Sequence, residues 1–254
     1  MASSSLPRLV PTVTFNVSAI VRILGSIIGL LLIASAASCW LRVRGIQPSF
    51  NGILYVDKEA NFPTYFSALQ LFIAASILGV IAWLERCERS KFTLHWTVLA
   101  GGFLLMSVDE ICAGHEKLNQ PVSALLGSAT YGLFAFAWVI PAVVFVAVVG
   151  LGYWKFLAHL PNSTRNGCVL AGLLYLGGAL GVELLGSRQF ELGGWNWEDP
   201  LYMTFATLEE ALEMVGVLVL IRTMLNYLAT TYGGLQLALQ APGRVPEPQL
   251  APSD

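Results

Sequence analysis

Residues 133–154 read LFAFAWVIPAVVFVAVVGLGYW, from Leu133 to Trp154, and contain no charged side chain. At a rise of about 1.5 Å per residue, a helix of this length crosses the roughly 30 Å hydrocarbon core of a bilayer. Outward from it, apolar runs of similar length recur at 17–40, 62–84, 92–115, 167–187 and 201–225, with the quoted stretch inside a run at 133–156. The fold class expected is all-α, a polytopic transmembrane bundle of about six helices occupying residues 17–228. Residues 1–16 read as a mobile N-terminal segment. Residues 229–254, with Pro242, Pro246, Pro248 and Pro252 and no apolar period, read as a disordered tail.

Composition points the same way. The chain of 254 residues is 56% hydrophobic and only 12% charged, with a mean hydropathy of +0.66. A soluble domain carries about 25% charge to solvate its surface, so the solvent of this chain is largely lipid. The net charge is −2 and no basic tract is present, which argues against a nucleic-acid partner. Cys39, Cys87, Cys112 and Cys168 lack paired spacing, so neither a zinc knuckle nor a disulfide framework is expected. Small residues at Ala34–Cys39 resemble a cleavage site, but the first run is read as a retained helix.

Orientation follows from the basic residues. With six spans, Arg8, Arg22, Arg86, Arg89, Lys91, Lys155, Arg165, Arg222 and Arg244 fall on one side, and Arg42, Arg44, Lys58, Lys117 and Arg188 on the other. The richer side is cytoplasmic, which places both termini there, in a cell membrane of bacterial inner-membrane type. Asn61 before Pro63, and Asp199 before Pro200, read as helix caps followed by first-turn prolines. Trp40, Trp195, Trp197 and Tyr202 are expected at the outer interface. Pro141 is expected to kink the fourth helix, and Gly172, Gly177, Gly178 and Gly181, including a Gly177-xxx-Gly181 step, to offer small surfaces for close packing.

The acids are unevenly placed. Twelve of the 16 Asp and Glu residues fall on the outer side, against five of the 14 Lys and Arg. Several lie within apolar runs, where each charge costs about 2.5–3.5 kcal/mol on insertion scales. At 100° per residue Glu209, Glu210 and Glu213 share one arc, so all three can face the interior. Asp109, Cys112 and Glu116 share a face of the third helix, with His115 at its edge and Glu110 in line with Lys117. Glu183 shares a face with Gly172, Leu176, Ala179 and Ser187. Asp109 and Glu183 lie about 25 Å from the cytoplasmic starts of their helices, and Glu209 about 13 Å from its outer start.

Such crowding is relieved by a bound cation, by protons, or by water and internal salt bridges. Asp109, His115, Glu116, Glu183, Glu209 and Glu213 are the candidate metal ligands, with Glu210 and Glu110 as candidate catalytic proton-transfer groups. Hard oxygen donors with one imidazole suit a divalent ion such as Fe, Mn, Zn or Ca, although the Glu-x-x-His pair of di-iron bundles is absent. Protonated glutamates would suit a proton- or cation-coupled transporter. A metal-dependent membrane enzyme would act on a lipid-soluble or periplasmic small substrate. An accessory subunit would meet a partner subunit through the aromatic loop at 187–200. Membrane lipids are the surroundings in every case.

Ser107-Val108-Asp109-Glu110, followed by His115-Glu116, resembles a family of uncharacterised bacterial multi-pass membrane proteins. The likeness continues through Tyr55-x-Asp57-x-Glu59-x-Asn61-x-Pro63-Thr64, Ala137-Trp138-Val139-Ile140-Pro141, Glu183-Leu184-Leu185-Gly186 and Leu208-Glu209-Glu210-x-Leu212-Glu213-Met214. It spans most of residues 50–228. The resemblance implies no activity, but it marks the same acids and adds Glu59. Ser107, Asp109 and His115 also bear a remote likeness to the alkaline ceramidase type of membrane hydrolase. Two further histidines of that type are missing from the last helix.

Overall fold

The structure, a computed structural model, describes residues 16–46, 51–58, 60–127 and 131–233. Glu59, Arg8, Arg244 and the expected mobile and Pro-rich terminal segments, up to residue 15 and beyond residue 233, lie outside the described residues. The elements are α1 (Val17–Val43), α2 (Asn51–Leu54), α3 (Phe62–Cys87), α4 (Thr93–Cys112), α5 (Asn119–Leu126), α6 (Val139–His159), α7 (Asn162–Leu176), α8 (Glu183–Leu192) and α9 (Pro200–Tyr232). A π-helical segment, Gly177–Val182, joins α7 to α8 without a break. Among the described residues there is no strand.

Four helices are long and apolar enough to cross a membrane: α1, α3, α6, and Asn162–Leu192 through the π segment. A fifth is added if α4 and the segment Glu116–Leu126, bent by 75° from it, count as one span. The remaining long helix, α9, has 33 residues and runs through the middle of the bundle. It packs against α1, α3, α7, the π segment and α8, while α3 and α4 form a closely packed hairpin. The main core joins Leu71 and Ile81 of α3, Trp96 of α4, Phe156 of α6, and Ile221 and Met224 of α9. Side chains such as Leu30, Leu105 and Leu151 are exposed outside this core.

Local causes set the helix ends. Asn61 Oδ1 accepts from the Thr64 amide at 2.9 Å, with Pro63 in the first turn of α3. Asp199 Oδ2 accepts from the Tyr202 amide at 2.9 Å, with Pro200 opening α9. Both caps agree with the sequence reading.

Other boundaries differ from it. The third run ends at Cys112, because Ala113 turns left-handed at φ 46°. Gly114 then passes so close to the Asp109 carboxylate that a side chain there would collide with it. The expected common face of Asp109, Cys112 and Glu116 is therefore broken, and Glu116 opens a separate 3₁₀ turn. The fourth helix begins at Val139, so Pro141 falls in its first turn, where proline costs no backbone hydrogen bond, rather than at a kink. The sixth helix continues to Tyr232, past the expected start of the tail at 229.

Of the four glycines expected to pack closely, Gly178 does so and the Gly177-xxx-Gly181 step does not. A side chain on Gly177 or Gly181 would meet nothing within 4 Å, whereas a Cβ on Gly178 would lie 2.7 Å from the Glu209 carbonyl oxygen. From the other side, a Cβ on Gly216 would lie 2.7 Å from the Tyr175 backbone nitrogen. These two glycines let α9 approach the π segment and α7. A π turn holds more residues than an α turn, so the helical wheel that grouped Glu183 with Gly172 and Leu176 loses register across it.

A candidate carboxyl site around helix α9

Glu183 begins α8 directly after the π segment, facing α9. Its carboxyl group lies beside that of Glu209, and its Oε1 accepts from the Trp138 indole at 3.0 Å. One turn further along α9, Glu213 lines the same small cavity as Tyr175 and Glu110. Glu210 lies in the field of Tyr175 together with Glu110 and Glu213. All of these acids are partly buried. Carboxyls from α4, α8 and α9 thus lie near one another at α9, the α4 member being Glu110, expected in line with Lys117, and not the expected Asp109.

Two carboxyl groups can hydrogen-bond only when one of them carries the proton, since an ionised carboxylate accepts and does not donate. Glu183 and Glu209 are placed so that one can share a proton with the other.

The end of this row of carboxyls near the start of α9 was only partly legible. Asp57, in the turn between α2 and α3, accepts from the Tyr202 hydroxyl at 3.1 Å. Burial pushes its carboxyl up to about 7, against the hydrogen bond from Tyr202, with Glu183 and Glu116 adding repulsion. Tyr202 is only 4% exposed, so it is a core residue rather than the interfacial ring expected, whereas Trp40, Trp195 and Trp197 are exposed. The loop after α8 starts only at Gly193. Its Trp197 packs on Phe190 with ring centroids 4.1 Å apart.

The segment between α4 and α6 sits over the pair. His115 Nδ1 lies 2.7 Å from Asp109 Oδ2, and its ring is 4.7 Å from that of Trp138. Asn119 Oδ1 accepts from the Trp138 amide at 3.0 Å, and Ser187 Oγ accepts from the Phe136 amide at 3.0 Å. Trp138 is thereby held with its indole N–H on Glu183. Glu116 is exposed, and Lys117 donates to the Cys112 carbonyl at 2.7 Å. Ser107 is buried and donates to the Ala68 carbonyl at 2.8 Å.

The six expected metal ligands divide between the Asp109–His115 contact, the Glu183–Glu209 pair, Glu213 beside Tyr175, and exposed Glu116. Among the described residues no three His, Cys, Asp or Glu side chains form a group that could hold a metal ion. Trp138, Tyr175 and Tyr202 were missed as site residues from the sequence. Being uncharged, they raise no insertion cost that singles them out.

Fold and site define a class: an all-helical bundle with several helices apolar enough to span a membrane and a chain of carboxyl groups along its central helix. Within that class the chain belongs to the family described as Domain of unknown function (DUF8692), which matches residues 24–228. No curated protein and no solved structure matches it.

Proposed function

We propose that this is an integral membrane protein that moves protons through its carboxyl chain, in the manner of a proton- or cation-coupled transporter. Six helices cross the membrane in this reading, α9 being the sixth, and both termini are cytoplasmic by the distribution of basic residues. The observation that carries it is the close approach of the two carboxyls of the Glu183–Glu209 pair, one of which carries a proton in this reading. Its proton can pass outward toward Asp57 and the His115–Asp109 contact, or inward toward Glu213. Ionisable groups inside a membrane mark such pathways, because their insertion cost is otherwise uncompensated.

The test is proton flux into liposomes carrying the full chain and an internal pH dye, driven by a potassium diffusion potential. Glu209→Gln keeps the shape of a protonated carboxyl but cannot release the proton. It should cut flux at least tenfold; an unchanged rate would sink the proposal.

The second reading is a metal-dependent membrane enzyme. It is favoured by the 2.7 Å His115–Asp109 contact, with Glu183 and Glu116 nearby, since an imidazole with three carboxylates is a donor set for Fe, Mn or Zn. Forming that set requires these side chains to move. Stoichiometric metal in protein purified without chelator, lost in His115→Ala, would support it over the proton reading.

A further inference from the structure

Below the Glu183–Glu209 pair, where α3, α4, α7 and α9 meet, is a cavity of about 10 Å³ lined on its polar side by Ser67, Gln70, Glu110, Tyr175 and Glu213. Gln70 is 0% exposed, and among the described residues neither its amide oxygen nor its amide nitrogen has a hydrogen-bond partner. The Ser67 hydroxyl is likewise buried without one. A buried amide left unpaired is costly, by about 1–3 kcal/mol per group, so an arrangement of this kind calls for a ligand. The donors facing the cavity are hard oxygens: an amide, a hydroxyl, a phenol and two carboxyls. Such a set suits alkali and alkaline-earth ions rather than soft metals.

We propose that this cavity binds one small, dehydrated monovalent cation of sodium size, held by Gln70 Oε1, Ser67 Oγ and the carboxyls of Glu213 and Glu110. Size selects it, because about 10 Å³ is at most one water's worth of space and admits neither a hydrated ion nor an organic cation. Calcium is of similar radius but takes six to eight oxygens, more than the four side chains of this site supply at one oxygen each. Charge also selects it. One cation entering as one carboxyl proton leaves keeps the net charge of the apolar layer unchanged, and the departing proton has the Glu209–Glu183 pair as its next carrier. This deepens the proton-carrying reading and rests on it for the exchange, although cation binding itself is measured separately.

The experiment is thermal unfolding of the purified full chain in detergent, in NaCl, LiCl, KCl or choline chloride at equal ionic strength. Sodium and lithium should raise the midpoint by roughly 2–4 °C over potassium and choline at saturation. Gln70→Leu should abolish the difference while unfolding no earlier than wild type in choline, because it removes two unpaired polar atoms from the interior. Ser67→Ala should shrink the difference. Equal midpoints in all four salts, as a cavity holding only water would give, or a sodium effect that survives Gln70→Leu, overturns the cation site. If proton flux in sodium-free choline medium persists under either of those outcomes, the proton chain stands and only the cation site falls.

Discussion

Gly178 of the π segment faces the backbone carbonyl of Glu209, at a separation that leaves only 2.7 Å for a Cβ. Leu212 and Glu213 side-chain atoms stand a further few tenths of an ångström away, at 3.1 and 3.2 Å. The absence of a side chain at one residue thus sets how closely the strand of carboxyls on α9 lies against Glu183. Close backbone approach at small residues is the usual way helices associate in lipid, where burial of apolar surface offers no net drive.

Gly178→Ala should therefore both destabilise the protein and weaken the proton link. Overpacking costs about 1–3 kcal/mol when the opposing atom cannot move, and here it is backbone. Gly181→Ala, with nothing within 4 Å, is the matched control. Thermal unfolding and liposome flux measured on both should separate them. Equal behaviour would mean that the helices are not in contact at Gly178.

Features with local causes were legible in the sequence. Asn61 with Pro63 and Asp199 with Pro200 cap their helices because a cap is decided within four residues. Glu183, Glu209 and Glu213 were expected to face inward together because charges in an apolar run have few other places to go; Glu110, which joins them, was expected in line with Lys117 instead. Nonlocal features were not. The π segment shifts the face of α8, and the left-handed Ala113 ends α4 early, so helical wheels drawn at 100° misplaced Glu116, and of the glycines expected to pack closely only Gly178 meets α9. Tyr202 looked like an interfacial ring because nothing in its neighbours announces Asp57, distant in the chain. The expected metal set failed to gather for the same reason: wheel geometry chooses a face but not a partner.

Asp57 gives a pH dependence of definite sign. Its carboxyl titrates at about 7 in the folded protein against an ordinary 3.8, chiefly through burial. Between those values the folded state keeps a proton that the unfolded chain releases, so this group's contribution to stability is fully present below 3.8 and is lost as pH rises to about 7. Unfolding midpoints of wild type should fall across that window relative to Asp57→Asn, which cannot titrate. Parallel pH profiles for the two proteins would contradict it.

Trp138 is the residue whose removal should most directly disturb Glu183 without touching an acid. Trp138→Phe keeps an aromatic ring beside His115 but deletes the N–H that Glu183 accepts at 3.0 Å. Leaving that carboxyl short of a donor should cost about 1–3 kcal/mol and alter flux. Trp154→Phe, at a ring 61% exposed, should do neither. If the two variants unfold together, the indole bond contributes nothing measurable.

The last turn of α9 carries a contact unrelated to the acids above it. Glu85, near the end of α3 and 8% exposed, accepts on one oxygen from the Tyr227 hydroxyl at 2.9 Å and the Tyr232 hydroxyl at 3.1 Å. Hydrogen bonds to a charged group contribute about 1.5–3 kcal/mol, and here they tie the far ends of α3 and α9 together. Tyr227→Phe should destabilise by that amount. Tyr232→Phe should cost less, because Tyr232 is the final residue of the helix, where the backbone frays. The double variant should lose more than the sum, since the second loss strips the buried carboxylate of both donors. Tyr232 also lies beyond the family match, which ends at 228. A chain ended at Leu228 should therefore unfold at a lower temperature than the full one, by about the same margin as Tyr232→Phe when fraying is small. A truncated chain as stable as the full one, with an additive double variant, would show that Glu85 does not hold the end of α9.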